Sequence, residues 1–132
     1  MGELNHPEDQ LQRQILALCK LHPPLGQLVY HIPNGGRRNA IEAAKLKSAG
    51  VRAGVSDLHI PLPILNRPRE GSESTGLWIE VKAPGKHRRP TMAQSHWLDL
   101  MRTHGAEAHV IDRLEDAQAL LADYQRRWRA TQ

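Results

Sequence analysis

The segment Leu77-Trp78-Ile79-Glu80-Val81-Lys82 constrains this chain more than any other. Side chains alternate across a strand, so Leu77, Ile79 and Val81 share one face while Trp78, Glu80 and Lys82 share the other. One face must be buried, and the opposite face then carries a carboxylate and an ammonium two residues apart. Gly76 precedes the run and Pro84-Gly85 terminates it. A second alternating run, Asp57 to Leu62, places Leu58, Ile60 and Leu62 on one side and Asp57, His59 and Pro61 on the other. If both strands turn their apolar faces to the same helix, Asp57, Glu80 and Lys82 fall on one common surface.

Helical patterns surround these strands. Asn5 or His6 can cap a first helix that starts at Pro7, carries Glu8 and Asp9 in its first turn, and ends at His22-Pro23-Pro24. Gln27 to Ile32 reads as a short strand and Pro33 to Gly36 as a turn. Asn39, with Glu42 three residues later, caps a helix to Ser48 that Gly50 stops. Pro63 to Gly76 reads as a polar loop. Thr91 to Thr103 is a helix closed by Gly105, Glu107 to Asp112 a strand, and Leu114 to about Trp128 a last helix striped with Ala117, Leu121 and Tyr124. Four strands with helices on their flanks predict an α/β or α+β layered domain. The length of 132 residues suits one domain spanning 1–132, which buries roughly 65–70% of its unfolded surface.

Composition removes several alternatives. The single cysteine, Cys19, excludes an intramolecular disulfide and a multi-cysteine zinc site, and it reads as a buried helix residue. The chain shows no apolar run of membrane-spanning length, and its first residues lack the apolar core of a signal peptide. A soluble, intracellular, cytoplasmic protein is expected. Eighteen Lys and Arg stand against 14 acids. Five of the basic residues lie between Arg37 and Arg52 with Glu42 as the lone acid, and four lie between Lys82 and Arg89 with none. Such clusters are the footprint of a phosphate-backbone binder. Aromatics make up only 4%, which argues against an extended base-stacking platform.

The chemistry rests on the shared polar surface. Two hard oxygen donors, Asp57 and Glu80, suit a divalent cation such as Mg²⁺, and Lys82 beside them can orient a water. By themselves these residues leave a solvated charge pair open as the other reading. Thr91-Met92-Ala93-Gln94 is a capping-box pattern, which accounts for Gln94 without catalysis. An acid at Glu8 is favourable in any helical first turn. His31 and His59 read as structural or surface residues.

Several separated motifs nevertheless occur in one order: Ile32-Pro33-Asn34-Gly35-Gly36-Arg37-Arg38, then Lys45 to Leu58, then Leu77 to Lys82, then Gln94-Ser95-His96-Trp97-Leu98 and Gly105. Together they resemble the VRR-NUC domain, the virus-type replication-repair nuclease branch of the PD-(D/E)xK superfamily, over about residues 8–124. The resemblance implies a restriction-endonuclease-like core, a central mixed sheet of about four strands flanked by helices, and metal-dependent phosphodiester hydrolysis. It implies that Asp57 and Glu80 bind Mg²⁺ or Mn²⁺ with the main-chain carbonyl of Val81. Lys82 would be the catalytic lysine, Glu8 a further carboxylate that reaches the metal, and Gln94 a catalytic-site glutamine. Ser56 departs from the pattern, standing where many members have proline.

The expected activity is therefore DNA cleavage by a divalent-metal endonuclease selective for branched DNA or Holliday-type junctions. Asn34, Gly35, Gly36, Arg37, Arg38, Lys45, Lys47, Lys86, Arg88 and Arg89 are the expected nucleic-acid contacts. They would position DNA, duplex or branched, without reading its sequence. A homodimer is expected, with Tyr124 and Trp128 near Arg126, Arg127 and Arg129 as one candidate contact; the alternative is that Trp128 packs on its own domain. A sequence-specific restriction-type nuclease and a non-catalytic DNA-binding module remain the two competing functions.

Overall fold

The computed structural model describes residues 6–33, 39–65, 73–85 and 89–132. Helix α1 covers Pro7–Lys20, with proline in the first turn where its missing N–H costs nothing. A short α2 at Leu25–Leu28 leads into β1, Tyr30–His31. Helix α3 spans Ala40–Ser48, and Asn39 Oδ1 accepts the Glu42 N–H at 2.8 Å. Strands β2, Leu58–Ile60, and β3, Leu77–Val81, are followed by α4 at Met92–Thr103, β4 at Glu107–Ile111 and α5 at Leu114–Arg129.

The four strands form one sheet in the order β1-β2-β3-β4. The first two pairings are antiparallel, with Tyr30 opposite His59 and Leu58 opposite Ile79. β3 and β4 run parallel, with Glu80 beside Val110, and α4 supplies the crossover that a parallel pair requires. A mixed sheet flanked by helices is the expected architecture.

The two faces of the sheet differ in kind. Leu58, Ile60, Leu77, Ile79, Val81 and Ile111 pack against Leu11, Ile15 and Cys19 of α1 and Ala117, Leu121 and Tyr124 of α5. Burial pushes the Cys19 thiol up to about 11, so it is an apolar filler. Arg127 on α5 grips Glu107 on β4 through two contacts, at 2.6 and 2.8 Å. Burial alone would raise the Glu107 carboxyl; hydrogen bonds from His109 and Arg127 and the Arg127 charge override it and bring it to about 2. On the opposite face, α4 packs against β3 and β4.

Four sequence expectations change. The strand foreseen over Gln27 to Ile32 begins only at Tyr30, because fully buried Leu25 is drawn into the core on a helical turn closed by Val29 N–H to Leu25 C=O. The Asp57 to Leu62 strand pairs only over Leu58–Ile60, since Pro61 has no N–H for the ladder. The ends of the Pro63 to Gly76 loop are not merely polar: Ile64 is fully buried and bridges Ser74. Trp128 packs against the core and Tyr124 is completely buried, so this pair faces its own domain.

Tyr124 ties α5 to the base of that loop. Its hydroxyl donates to the Leu62 carbonyl at 2.6 Å and lies 3.0 Å from Ser74 Oγ. Tyr124→Phe leaves the buried carbonyl without this donor and should cost about 1–3 kcal/mol. Urea unfolding should show a lower midpoint at unchanged slope; an unchanged midpoint would show that the contact adds nothing.

Candidate active site

The register that joins β2 to β3 builds the site. One step beyond Leu58–Ile79, it sets Asp57 across from Glu80, a separation of about 4.5–5.5 Å between Cβ atoms. Asp57 is oriented by the Val81 N–H, which donates to its Oδ2 at 2.7 Å. The preceding loop is pressed onto α4: a Cβ on Gly54 would lie 2.4 Å from the Ala93 backbone, and Gly54 itself has φ of +84°. Only glycine meets both conditions. Ser56, the departure from the family pattern, is fully buried in this approach.

Glu80 is 3% exposed, and two residues on, Lys82 is 8% exposed. Gln94 in the first turn of α4 joins them. Its Nε2 donates to Glu80 Oε2 at 3.1 Å, and its Oε1 accepts from Lys82 Nζ at 2.7 Å. The same Oε1 accepts the Thr91 N–H at 2.8 Å while Gln94 N–H donates to Thr91 Oγ1, so the capping box and the site are one structure. Lys82 Nζ stands 3.8 Å from Glu80 Oε2. Glu80 Oε1 is buried with no hydrogen-bond partner among the described residues.

This environment disfavours a second negative charge. Burial, then the charge and hydrogen bond of Asp57, push the Glu80 carboxyl up to about 9; Lys82 opposes the shift and Glu8 adds to it. Glu8 on α1 therefore reaches the site through its field. Among the described residues, no three His, Cys, Asp or Glu side chains converge as a ready-made metal cluster. The donor set is two facing carboxylates, one with an orphaned buried oxygen. These two carboxylates suit a divalent cation, which would satisfy Oε1 and neutralise the repulsion.

The VRR-NUC domain model matches residues 6–113. The chain belongs to the VRR-NUC domain family. A solved structure described as a VRR_NUC domain protein matches with a TM-score of 0.70 at 28% identity, covering 89% of this chain and 87% of that one. No curated protein matches. Both findings support a nuclease-type fold.

In this VRR-NUC domain, Asp57, Glu80, Val81, Lys82 and Gln94 come together, and Glu8 lies within electrostatic range. Lys45, Lys47 and Arg89 are exposed. Asn34, Gly35, Gly36, Arg37, Arg38, Lys86 and Arg88 lie outside the described residues. Sequence reasoning missed what flanks the carboxylates. His59 stacks on Trp78 with centroids 3.8 Å apart, Trp97 of α4 meets Trp78 edge-on at 5.3 Å, and the Arg52 guanidinium sits 5.7 Å from the Trp97 ring. Burial lowers the His59 pKa. Arg52, Trp78 and Trp97 each lie inside a motif and His59 outside one; the grouping depends on register.

The buried glutamate has a consequence for stability. Its folded pKa of about 9 lies above the ordinary 4.5, so between those values the folded state holds a proton that the unfolded chain has lost. Without divalent metal, stability falls as pH rises through this window. Glu80→Gln should be more stable than wild type at pH 8, with the gap closing towards pH 5. Melting curves in chelator across this range check it, and a gap independent of pH would refute the assignment.

Proposed function

We propose that this domain is an Mg²⁺- or Mn²⁺-dependent DNA endonuclease. The observation that carries the reading is the facing pair Asp57 and Glu80, with Lys82 held beside them by Gln94. Asp57, Glu80 and the Val81 carbonyl would hold the ion, and Glu8 would tune the local charge. When bound, the ion supplies a Lewis acid for a phosphoryl oxygen and lowers the pKa of water.

The protein's own contributions follow from the geometry. Lys82 has an 11% exposed side chain and shares Gln94 Oε1 with the Thr91 N–H, so its ammonium is fixed in place. It is suited to orient the attacking water and to oppose charge building on the phosphate. Gln94 positions Lys82 and Glu80 together. The basic residues Arg37, Arg38, Lys45, Lys47, Lys86, Arg88 and Arg89 would take phosphates along the strand.

The preferred substrate in this reading is branched DNA, such as a four-way junction, cut by a homodimer with two active sites. Pairing would use the exposed apolar residues of α3 and its following loop, beside Lys47 and Arg52, rather than the buried Tyr124 of the C-terminal helix. α3 has no buried residue, Ile41 is 70% exposed and Val51 39%. Ala43, Leu46 and Val51 line a cleft of about 860 Å³ there. No helix of the described residues is long and apolar enough to cross a membrane.

Asp57→Asn and Glu80→Gln should abolish cleavage while the fold survives, and chelator should do the same to wild type. Lys82→Ala should lose turnover but keep DNA affinity within about tenfold, since one phosphate contact adds little to many. Linear duplex, flap, splayed arm and four-way junction, each with Mg²⁺, Mn²⁺ or chelator, give the measurement. Full activity in either carboxylate variant would overturn the mechanism.

Two further measurements address the substrate and the assembly. Neutralising Arg37 with Arg38 should reduce the slope of log affinity against log salt by up to about two. Light scattering should give a dimer at micromolar concentration; a strict monomer that cuts duplex and junction equally would leave only the general nuclease reading.

A further inference from the structure

The site face of the sheet carries two parallel rows. The first is the carboxylate row, Asp57 across from Glu80. The second lies two residues along each strand, about 7 Å away. It consists of Tyr30 on β1, His59 on β2 and Trp78 on β3, extended onto α4 by Trp97. The chain has three Trp, two Tyr and no Phe, so three of its five such rings stand in this row. The row is continuous: Tyr30 meets His59 edge-on at 5.3 Å and its hydroxyl lies 2.7 Å from His59 Nδ1.

The two ends of the row differ. At the inner end, Trp78 and Trp97 are partly covered and Arg52 sits on the Trp97 ring. At the outer end, Tyr30 is 47% exposed. It stands in a two-residue strand at the sheet edge, ahead of the Asp57 backbone: the Ile32 N–H and His31 Nδ1 both donate to the Asp57 carbonyl, at 2.8 Å each. Core packing alone accounts for the inner rings but not for a half-exposed tyrosine fastened to them. A flat ring, held by a hydrogen bond and an edge-on contact to His59, loses little entropy on receiving another π-face. Tyr30 stands two residues along and one strand across from Asp57, roughly 8 Å away, which is two to three nucleotide steps of stacked DNA at about 3.4 Å each.

We propose that Tyr30 stacks an unpaired nucleobase next to the scissile phosphate, and that this contact selects DNA whose strand is open at the cleavage point. The proposal rests on the nuclease reading of the carboxylate row and names a specificity-determining residue for it. A base in an intact duplex has both faces covered by its neighbours and cannot make this contact, whereas a base at a fork or junction can. Tyr30 touches neither the reacting atoms nor the carboxylates, so its effect belongs in binding rather than in the chemical step.

The test compares Tyr30→Leu and Tyr30→Phe with wild type. Affinity is measured in chelator, where nothing is cut, for a fluorescein-labelled splayed-arm DNA and for linear duplex of the same sequence. A second splayed arm carries 2-aminopurine at successive unpaired positions, as a reporter of stacking. Wild type should quench 2-aminopurine near the fork. Tyr30→Leu should lose that quenching and bind the splayed arm about fivefold or more weakly, with duplex affinity unchanged. Tyr30→Phe keeps the ring and should retain both, and melting curves establish that each variant is folded. Equal weakening on both DNAs, or unchanged binding by Tyr30→Leu, would overturn the stacking role while leaving the nuclease reading intact. Failure of wild type to bind either DNA would overturn both.

Discussion

The structure turns on the cost of setting two carboxylates opposite one another at the buried middle of a sheet. Asp57 and Glu80 face across the β2–β3 ladder, where like charges destabilise an antiparallel pair. Glu80 is almost fully covered, so water cannot screen the repulsion. The described surroundings compensate only in part. The Val81 N–H satisfies Asp57 and Gln94 satisfies one oxygen of Glu80, but Lys82 stands 3.8 Å off and the other Glu80 oxygen has no described partner. With both carboxylates ionised the arrangement lacks positive charge; a proton on Glu80 makes this good in the absence of a cation, and a bound cation would take its place.

The compensation that does exist is borrowed from a helix terminus. Thr91 and Gln94 form the capping box that starts α4. Gln94 then uses its remaining capacity on Glu80 and Lys82, so one side chain both begins the helix and spaces the two charged groups. Helix position and site geometry are thereby a single variable. The approach of Gly54 to Ala93, and of Arg52 to Trp97, fastens the loop before Asp57 to the same helix. All the elements that carry the site thus share α4 as a common reference. The apolar core, on the far side of the sheet, supports them without entering the chemistry.

Much of this was legible in the residues because alternation is local. Leu77 to Lys82 fixes which side chains share a face, whatever the neighbours are, and the Thr91–Gln94 spacing announces its cap. What alternation cannot supply is which strand lies beside which, and in what register. Tyr30 escaped notice for that reason: its strand is two residues long, and its ring matters only because it pairs with His59. Gln27 to Ile32 looked like strand throughout, but the demand of the core for Leu25 outweighed local propensity. Tyr124 and Trp128 looked available for a partner because aromatic residues beside arginines resemble an interface. Their spacing on the same stripe as Ala117 and Leu121 already turned them inward.

Register also explains why the carboxylate and aromatic rows must be considered together. Both arise from the same pairing of β2 with β3, so a slip of one residue would move Asp57 and His59 to the core face at once. That slip is opposed by Leu58 and Ile60, which are fully buried and would be forced to the α4 side. The apolar face of the sheet therefore specifies the polar one. His59 and Trp78 reinforce the same register from the other side, since their stacked rings lie directly opposite in the ladder. The aromatic row acts as a second lock on the alignment of Asp57 with Glu80. Only its outermost ring, Tyr30, extends beyond what that alignment requires.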